Sequence, residues 1–257
     1  MKKKYISIFA TAVVVAIILL TTSSKLSHKS KTVSVGSPVN GFAVLELFTS
    51  QGCSSCPPAD ALLGRYAAKA DENIFTLSFH VDYWNRLGWK DPFSSAAYSQ
   101  RQKDYAMIID KSTVYTPQLI VNGVKEMVGS DENAVSGAVS NALKTSPALQ
   151  IVINKIETKN YMATISFTVD KNIKNCKVNA ALVQAQITTA ILKGENEGVK
   201  LTNYNVVRDF VSNPLVQGTS FVNLQLPENK AGNNYSVVLY VQEDASGKII
   251  AATKQKL

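Results

Sequence analysis

The distribution of hydrophobic positions changes character near residue 146. Before that point, continuous apolar runs predict two buried strands, at 42–48 and 74–81. A helical stretch between them begins at Pro57 and continues through Ala70. The strand–helix–strand order indicates a βαβ unit, in which a helix joins two parallel strands.

Two more helices and a hairpin complete the predicted first domain. A proline at the first helical position, polar N-cap residues and an Asn-Gly turn are the signals that locate them. The predicted elements are a helix from Asp91-Pro92 to Asp110, strands at 119–122 and 126–128 around Asn122-Gly123, and a helix from Ser130 to 146.

Beyond Pro147 the pattern consists of β-branched and alternating runs separated by polar turns. The predicted strands are 149–157, 162–169, 176–188, 221–226, 235–242 and 249–254. No strand is predicted from 189 to 220. The change of pattern divides the chain into an α/β domain at 40–146 and an all-β, sandwich-like domain at 147–257.

The N-terminus, basic and then apolar, has the pattern of an export signal. Lys2 to Lys4 precede a mostly apolar run from Ile6 to Leu20. Residues 1–24 are predicted to be a cleaved signal peptide or an uncleaved membrane anchor, because the uncharged span from Tyr5 to Ser24 is long enough to cross a bilayer. Residues 25–39 predict a flexible tether. The protein is expected to be exported, either periplasmic or anchored to the membrane and facing the periplasm.

Composition and charge exclude several classes of function. At 257 residues and 46% hydrophobic, the chain can bury a sizeable core, which excludes a disordered protein. The formal charge is +8, but six of the 27 basic residues precede residue 40, where there is no acid. The rest of the chain is nearly neutral, which argues against a nucleic-acid partner. Neither a Walker A motif nor a Gly-x-Gly-x-x-Gly loop is present, so nucleotide binding has no support.

The sequence Cys53-Ser54-Ser55-Cys56, at the start of the first predicted helix, is the strongest chemical signal. Two thiols at this spacing can close a small disulfide ring, and a helix N-terminus stabilises the thiolate of the first. There is no second Cys pair, and His80 and His28 are the only histidines, so a zinc site is not supported. A bridge across so short a loop stabilises a fold very little, which favours a redox-active disulfide over an inert one.

A set of segments carries a resemblance to a known family. The segments are Leu47 to Asp60, Phe79 to Asn85, Gly88 to Phe93, Ser99 to Gln102, Tyr115 to Gly123, Gly194 to Asn196, Leu201 to Asp209 and Val241-Gln242. They closely resemble an exported bacterial thioredoxin-like family, the domain of unknown function 1223. The resemblance implies a thioredoxin-like fold with a Cys-x-x-Cys pair and no settled activity. The predicted fold class is therefore an α/β thioredoxin-like domain followed by an all-β sandwich-like domain.

Two further residues are assigned roles by comparison with thioredoxin-like enzymes. Pro117 follows Thr116 just before a strand, where such folds keep a cis-proline loop that docks the substrate backbone; the alternative is a trans proline that opens an edge strand. Glu46 lies seven residues before Cys53 in an apolar strand, within one residue of the buried acid that takes a proton from the second cysteine. The alternative for Glu46 is a paired structural acid.

The loop after His80 is rich in aromatic residues. Tyr83 and Trp84, together with Thr116, are predicted to bind substrate; the alternative is that the aromatic rings are buried and pin the loop. His80 should emerge at the same sheet edge as the thiols, because it ends the strand next to the one that leads to them.

Two other residues are expected to be structural. Cys176, the third cysteine, is predicted to be a small buried residue in a strand of the second domain. Arg101 is expected on a solvated surface, which is the usual position of such a charge; the alternative is an ion pair with Asp91 or Asp209.

The residues together predict a thiol–disulfide oxidoreductase. Cys53 exchanges with the substrate, Cys56 resolves the mixed disulfide and Pro117 positions the partner chain. The expected substrates are protein or small thiols, a redox partner protein is expected, and the Cys53–Cys56 disulfide is the only redox group required. Two alternatives stay open. One is Cu(I) binding by both cysteines and His80, and the other is a non-catalytic envelope binding module with a structural disulfide.

Overall fold

The computed structural model describes the chain from residue 41 onward with four short gaps. The described ranges are 41–69, 71–109, 113–171, 173–228 and 234–257. They belong to one compact unit. The predicted signal peptide or anchor and the predicted tether lie outside the described residues. Within the described ranges no helix is both long enough and apolar enough to span a membrane.

Strands and helices alternate in the first half of the described chain, and strands follow in the second. The helices there are α1 (Pro57–Ala68), α2 (Ala96–Ile108) and α3 (Glu132–Ala142), with a 3-10 turn at Asn85–Leu87. The strands are β1 (Ala43–Thr49), β2 (Ile74–His80), β3 (Gln118–Val121), β4 (Lys125–Val128), β5 (Ile151–Lys159), β6 (Met162–Val169), β7 (Cys176–Ala190), β8 (Lys200–Pro214), β9 (Gly218–Gln225), β10 (Tyr235–Glu243) and β11 (Ile249–Lys256).

The described strands form two sheets. One is mixed and has eight strands in the order β11-β10-β7-β8-β2-β1-β3-β4, and the other is antiparallel with the order β5-β6-β9. β1 and β2 pair in parallel on either side of α1 in sequence, so the predicted βαβ unit is confirmed. β3 and β4 form the predicted hairpin, which continues the sheet beyond β1.

The predicted fold class, an α/β thioredoxin-like domain followed by an all-β sandwich-like domain, is wrong. Strands from both predicted domains are hydrogen-bonded into the same eight-stranded sheet, and strands are the dominant element. The junction is β8, whose Val206 pairs in parallel with Ser78 of β2. A buried strand such as β2 needs hydrogen-bond partners along both edges. β1 covers one edge and β8 the other, so both halves of the chain build one structure.

β8 is the strand that the hydrophobic pattern does not reveal. It carries polar residues at Asn203, Asn205, Arg208 and Asp209, which interrupt the alternation typical of a half-buried strand. Its backbone nevertheless pairs with β7 along almost its whole length. Pairing with a long neighbouring strand therefore outweighs the weak local pattern.

Two helices begin later than predicted. α2 begins at Ala96, because the side chain of Ser95 caps its first turn. Asp91, the predicted cap, is buried and bonded to His80 instead. α3 is capped by Asp131. Several polar residues near a helix start can act as its cap. Asp91 does not cap α2, because its carboxylate is bonded to His80.

Residues of β1 alternate between the two faces of the large sheet and so show what lies on each side. Leu45 and Leu47 pack with α1 and α3 in one core, whereas Phe48 packs with α2 residues in the core on the opposite face. Glu46, between the two leucines, therefore belongs to the α2 face. Thr49 belongs to the α1 face, where α1 begins.

α1 also packs closely on β8. A Cβ atom at Gly64 would lie 2.5 Å from a ring carbon of Tyr204, so a larger side chain does not fit. This close approach brings β8, from the second half of the chain, against α1.

Candidate functional site

Cys53 and Cys56 lie between β1 and α1. A turn closed by the hydrogen bond from the Cys56 amide to the Cys53 carbonyl (3.3 Å) leads into the helix, and Cys56 is its N-cap residue. Pro57 and Pro58 occupy the first two helical positions, where no intrahelical N–H bond is lost. Both cysteines are buried free thiols. The structure therefore holds the pair as a dithiol at a helix N-terminus.

Hydroxyl groups surround the thiol of Cys53. Thr116 Oγ1 donates to the sulfur at 3.2 Å, and Ser55 Oγ lies 3.2 Å from it. The hydrogen bond from the Cys56 thiol has the largest effect on the pKa of Cys53 and lowers it. Burial raises this pKa, and the hydrogen bonds from Ser55 and Thr116 lower it further. Together they lower this pKa to about 6. At neutral pH Cys53 is therefore mostly thiolate.

The thiol of Cys56 is shifted in the opposite direction. Burial is the main cause of its raised pKa, and the neighbouring Cys53 and Asp60 raise the pKa further. Near neutral pH one sulfur of the pair is thus ionised and the other keeps its proton. Cys53 is therefore suited to act as the nucleophile, and Cys56 to act second.

The loop that contains Thr116 and Pro117 lies against Cys53, and the peptide bond between these two loop residues is cis. Trp84 Nε1 donates to Thr116 Oγ1 at 2.8 Å, so Trp84, Thr116 and Cys53 form one chain of hydrogen bonds. Tyr83 is half-buried and donates its hydroxyl hydrogen to a side-chain amide of α2. Burial raises the pKa of Tyr83 to about 12. The structure thus brings Thr116 and Trp84 to the thiol, with Tyr83 beside them.

Glu46 does not lie with the cysteines. Its carboxylate accepts hydrogen bonds from Arg101 Nη2 (2.7 Å), from the Tyr240 hydroxyl (2.7 Å) and from the Tyr105 hydroxyl. Arg101 is almost fully buried, so the expectation of a solvated arginine is wrong. Glu46 has the contacts of a paired structural acid on the α2 face of the sheet.

The carboxyl group beside Cys56 belongs to Asp60, a residue for which the sequence predicts no role. Asp60 lies one helical turn after Cys56, and its Oδ2 accepts a hydrogen bond from the Thr49 hydroxyl at 3.1 Å. Burial raises the pKa of Asp60 to about 7, against the opposing effect of His80. The four-residue spacing of a cysteine and an aspartate at a helix start is the signal that points to this pair.

His80 ends β2, in register with Thr49 of β1, and is fully buried. Its Nδ1 lies 2.7 Å from Asp91 Oδ2. Burial by itself would lower the pKa of His80, but Asp91, helped by Asp60, outweighs burial and raises it. His80 therefore lies at the end of the strand next to β1, with Asp91 as its direct partner.

In the part of the chain that the structure describes, no three His, Cys, Asp or Glu side chains are grouped so that they could hold a metal ion. Cu(I) binding by Cys53, Cys56 and His80 therefore gains no support from this arrangement and stays a prediction. Cys176 is buried at the start of β7, as predicted, where its thiol donates to the Lys174 carbonyl at 3.6 Å.

The segment between β7 and β8 contacts the cysteine loop directly. Asn196 donates to the carbonyls of Gln51 (2.9 Å) and Cys53 (3.0 Å). Glu195 accepts a hydrogen bond from the Ser54 amide at 3.0 Å. The second half of the chain thus completes the site. No local pattern assigns Glu195 or Asn196 this role; only their inclusion in a family-like segment marks them.

Removal of the Thr116 hydroxyl is expected to make Cys53 less acidic. In Thr116→Val the sulfur loses a hydrogen-bond donor that favours the thiolate, so its pKa rises from about 6. Alkylation of Cys53 by iodoacetamide should then reach half its maximal rate about one pH unit higher than in the wild type. Mass spectrometry of the Cys53 peptide measures that rate.

Two variants control this experiment. Thr116→Ser keeps the hydroxyl and should keep the wild-type midpoint. Thr113→Val changes an exposed threonine of the same loop and should also leave the midpoint unchanged. A Thr116→Val midpoint equal to that of the wild type would contradict the role assigned to this hydroxyl.

A family match spans both halves of the site. Residues 44–242 match the model of a family described as protein of unknown function (DUF1223). No curated protein matches the chain. A crystal structure of a protein from Agrobacterium tumefaciens, a Northeast Structural Genomics Consortium target, is 28% identical, with a TM-score of 0.63 over 84% of this chain and 93% of that one. A domain of the outer membrane lipoprotein Omp28 from Porphyromonas gingivalis is 10% identical, with a TM-score of 0.29 over 43% of this chain and 88% of that one.

Proposed function

The chain belongs to the family of proteins of unknown function DUF1223, and for this member we propose thiol–disulfide oxidoreductase activity with Cys53 and Cys56 as the redox couple. The observation that carries the proposal is the opposite perturbation of the two thiols. Cys53 is hydrogen-bonded by Thr116 and Ser55 and is acidic, whereas Cys56 is buried and protonated. A structural bridge needs no such difference, because neither sulfur has to act as a nucleophile.

The proposed exchange consists of two displacements. The Cys53 thiolate attacks one sulfur of a substrate disulfide, forms a mixed disulfide and expels the other substrate sulfur as a thiolate. The Cys56 sulfur then attacks Cys53, which forms the Cys53–Cys56 bond and releases the second substrate thiolate. Two electrons pass from the dithiol to the substrate, and the proton of Cys56 leaves in the second step. The reverse sequence oxidises a substrate dithiol.

Substrate binding has to uncover Cys53, since this residue has no exposed surface. Its hydrogen-bonding neighbours are closer to solvent: Ser55 is exposed and Thr116 is half-buried. A substrate that displaces Ser55 meets the sulfur beside Thr116, Pro117 and the ring of Trp84. This setting suits a protein segment or a small thiol that lies along the proline loop.

The proposed setting is outside the cytoplasm. The basic and then apolar N-terminus supports export, and exported proteins exchange disulfides with dedicated redox partner proteins. The proposed chemistry is that of thioredoxin-like enzymes, carried here on a single mixed sheet.

Equilibration of the full chain across a series of glutathione redox buffers tests the proposal. We expect a reversible two-thiol transition between about −120 and −270 mV, the range of established exchange enzymes. Maleimide trapping and mass spectrometry count the free thiols. Cys176→Ser is the matched control, because it removes the third thiol and leaves the pair intact. A pair that stays oxidised below about −300 mV would instead indicate a structural bridge and favour the binding-module hypothesis.

A further inference from the structure

The connection between β7 and β8, residues 191–199, extends to the cysteine loop and is referred to below as the β7–β8 loop. Its two ends are joined by the Ile191 amide, which donates to the Val199 carbonyl at 2.9 Å. Its middle packs against the segment that follows the 3-10 turn, because a Cβ atom at Gly194 would lie 3.3 Å from Cβ of Trp89. The fold therefore holds the β7–β8 loop in place at its base and along one side.

Asn196 anchors the β7–β8 loop to the cysteine loop. This residue is buried, and its side-chain amide donates to the carbonyls of Gln51 (2.9 Å) and Cys53 (3.0 Å). The anchor fixes the residue before it, Glu195, whose carboxylate accepts a hydrogen bond from the Ser54 amide at 3.0 Å. Two consecutive residues of the β7–β8 loop are therefore bonded to Cys53 and to the residue that follows it.

Glu195 carries a negative charge close to Cys53, because the amide that its carboxylate binds belongs to the next residue. The side chain of Glu195 is exposed, so an approaching substrate meets this charge. Hydrogen bonding with Ser54 lowers the pKa of Glu195, which keeps the carboxylate ionised at neutral pH. Among the residues that the structure describes, no lysine or arginine forms an ion pair with Glu195. The charge is therefore fixed in position without a cation in direct contact.

Other charged residues belong to the same two segments. They are exposed, namely Lys193, Glu197, Arg86 and Lys90. Within the described ranges, no hydrogen bond joins any of their side chains to the cysteine loop. Exposed side chains without such a bond move freely, and water and salt screen their charges. Glu195 is thus the charge that a hydrogen bond holds against the cysteine loop, and its sign should have the largest effect on a substrate that reaches Cys53.

We propose that Glu195 determines substrate specificity: it favours disulfides with a positively charged group beside the sulfur atoms and disfavours those with a negatively charged one. This role rests on the proposed oxidoreductase function and names its substrate class, which is protein disulfides flanked by lysine or arginine. Attack by Cys53 and resolution by Cys56 proceed as described above. Glu195 takes up no proton and forms no covalent bond in either step, since it acts only through its charge.

Three small disulfides that differ in charge test the proposal: cystamine (cationic), hydroxyethyl disulfide (neutral) and dithiodipropionate (anionic). The rate at which each oxidises the reduced full chain is measured by acid quenching, maleimide labelling and mass spectrometry. We expect cystamine to react fastest and dithiodipropionate slowest with the wild type. In Glu195→Gln the ratio of these two rates should fall about tenfold, because one unit charge at roughly 7 Å in water changes each rate about threefold, in opposite directions. The rate with hydroxyethyl disulfide should stay unchanged.

The controls separate the charge of Glu195 from other effects. Glutamine can still accept from the Ser54 amide, so Glu195→Gln keeps the contact and removes only the charge. Glu197→Gln removes an exposed acid of the same loop and should leave the ratio of rates close to that of the wild type. In about 1 M salt the wild-type ratio should approach that of Glu195→Gln, because the Debye length falls to about 3 Å. At about pH 8, where Cys53 is ionised, alkylation by neutral iodoacetamide should be equally fast in both proteins.

A ratio of rates that is the same in Glu195→Gln and the wild type would overturn the role of Glu195 and leave the oxidoreductase in place. Equal rate changes with all three disulfides would also overturn it, because that result reflects a structural effect. So would an equal fall of the ratio in Glu197→Gln, since the effect would then belong to the net charge of the loop. Absence of reaction with every disulfide in the wild type would remove the oxidoreductase function itself. The two failures are therefore distinguishable.

Discussion

Cys53→Ser is expected to abolish disulfide exchange, and Cys56→Ser is expected to halt it at the mixed disulfide. Loss of the attacking sulfur removes the only low-pKa thiol of the pair, so the rate with a disulfide substrate should fall by about 1,000-fold or more. In Cys56→Ser the first displacement still occurs, but no thiol is present to release the substrate. The variant should therefore accumulate as a covalent adduct.

Incubation of the full-length variants with oxidised glutathione, followed by intact-mass measurement, checks this expectation. Cys56→Ser should gain one glutathione on Cys53, and Cys53→Ser should gain none. Cys176→Ser serves as the control, because its thiol is buried in β7 outside the pair. Adduct formation on Cys56 in the Cys53→Ser variant, at a rate similar to that on Cys53, would contradict the order of the two steps.

Arg101→Met is expected to destabilise the fold by about 3–5 kcal/mol, the usual cost when one partner of a buried ion pair is removed. The Arg101 guanidinium makes two hydrogen bonds to Glu46 Oε1, at 2.7 and 3.0 Å, and bonds to the hydroxyls of Tyr105 and Tyr240. Methionine fills the space of the arginine stem but leaves the Glu46 carboxylate buried without its cation. The loss should appear as a lower free energy of unfolding.

Urea denaturation followed by circular dichroism measures that free energy. The double variant Arg101→Met/Glu46→Gln should recover much of the loss, because glutamine is uncharged, its amide oxygen can accept from one tyrosine hydroxyl and its NH2 group can donate to the oxygen of the other. Arg65→Met is the matched control: Arg65 and Glu132 form an exposed pair, so its removal should cost less than about 1 kcal/mol. Equal effects of Arg101→Met and Arg65→Met would show that the buried cluster contributes no more than a surface pair.

Local signals were sufficient for the elements that surround the thiols. The apolar runs of β1 and β2 and the Cys-x-x-Cys-Pro-Pro sequence predict a βαβ unit with both cysteines at its first turn, and the structure has that arrangement. These signals depend on side chains close together in sequence: prolines at helix positions one and two, and continuous apolar residues in a strand. The order of elements and the location of Cys53 and Cys56 follow from them.

The pairing of β2 with β8 could not be predicted from local sequence in the same way. β8 has polar residues where a buried strand is expected to be apolar, and its pairing with β2 joins segments more than a hundred residues apart in sequence. Asn196 and Asn203, which reach the cysteine loop from that half, are positioned by this pairing. The separate-domain prediction fails because backbone pairing of distant strands leaves no local periodicity.

Glu46 and Asp60 show, for single residues, the same difference between what local sequence predicts and what the fold decides. Both acids are buried and both lie near the cysteines in sequence. Strand alternation sends Glu46 to the α2 face, where Arg101 holds it, and helical spacing brings Asp60 to the same side of α1 as Cys56. Distance along the chain favours neither residue, since the deciding quantity is the face on which each side chain lies.

The amino-acid sequence alone therefore determined the helix start that presents the two thiols, the strands that flank it, and the residue types available for exchange chemistry. Those features arise from propensities and spacings within a few residues. Only the tertiary structure decided that strands from both halves of the chain share one sheet, that Arg101 pairs with Glu46, and that Asp60 lies beside Cys56 while His80 pairs with Asp91. Those features depend on contacts between distant segments. A buried charge without a partner is costly, and Arg101, the partner of Glu46, lies far away in the sequence.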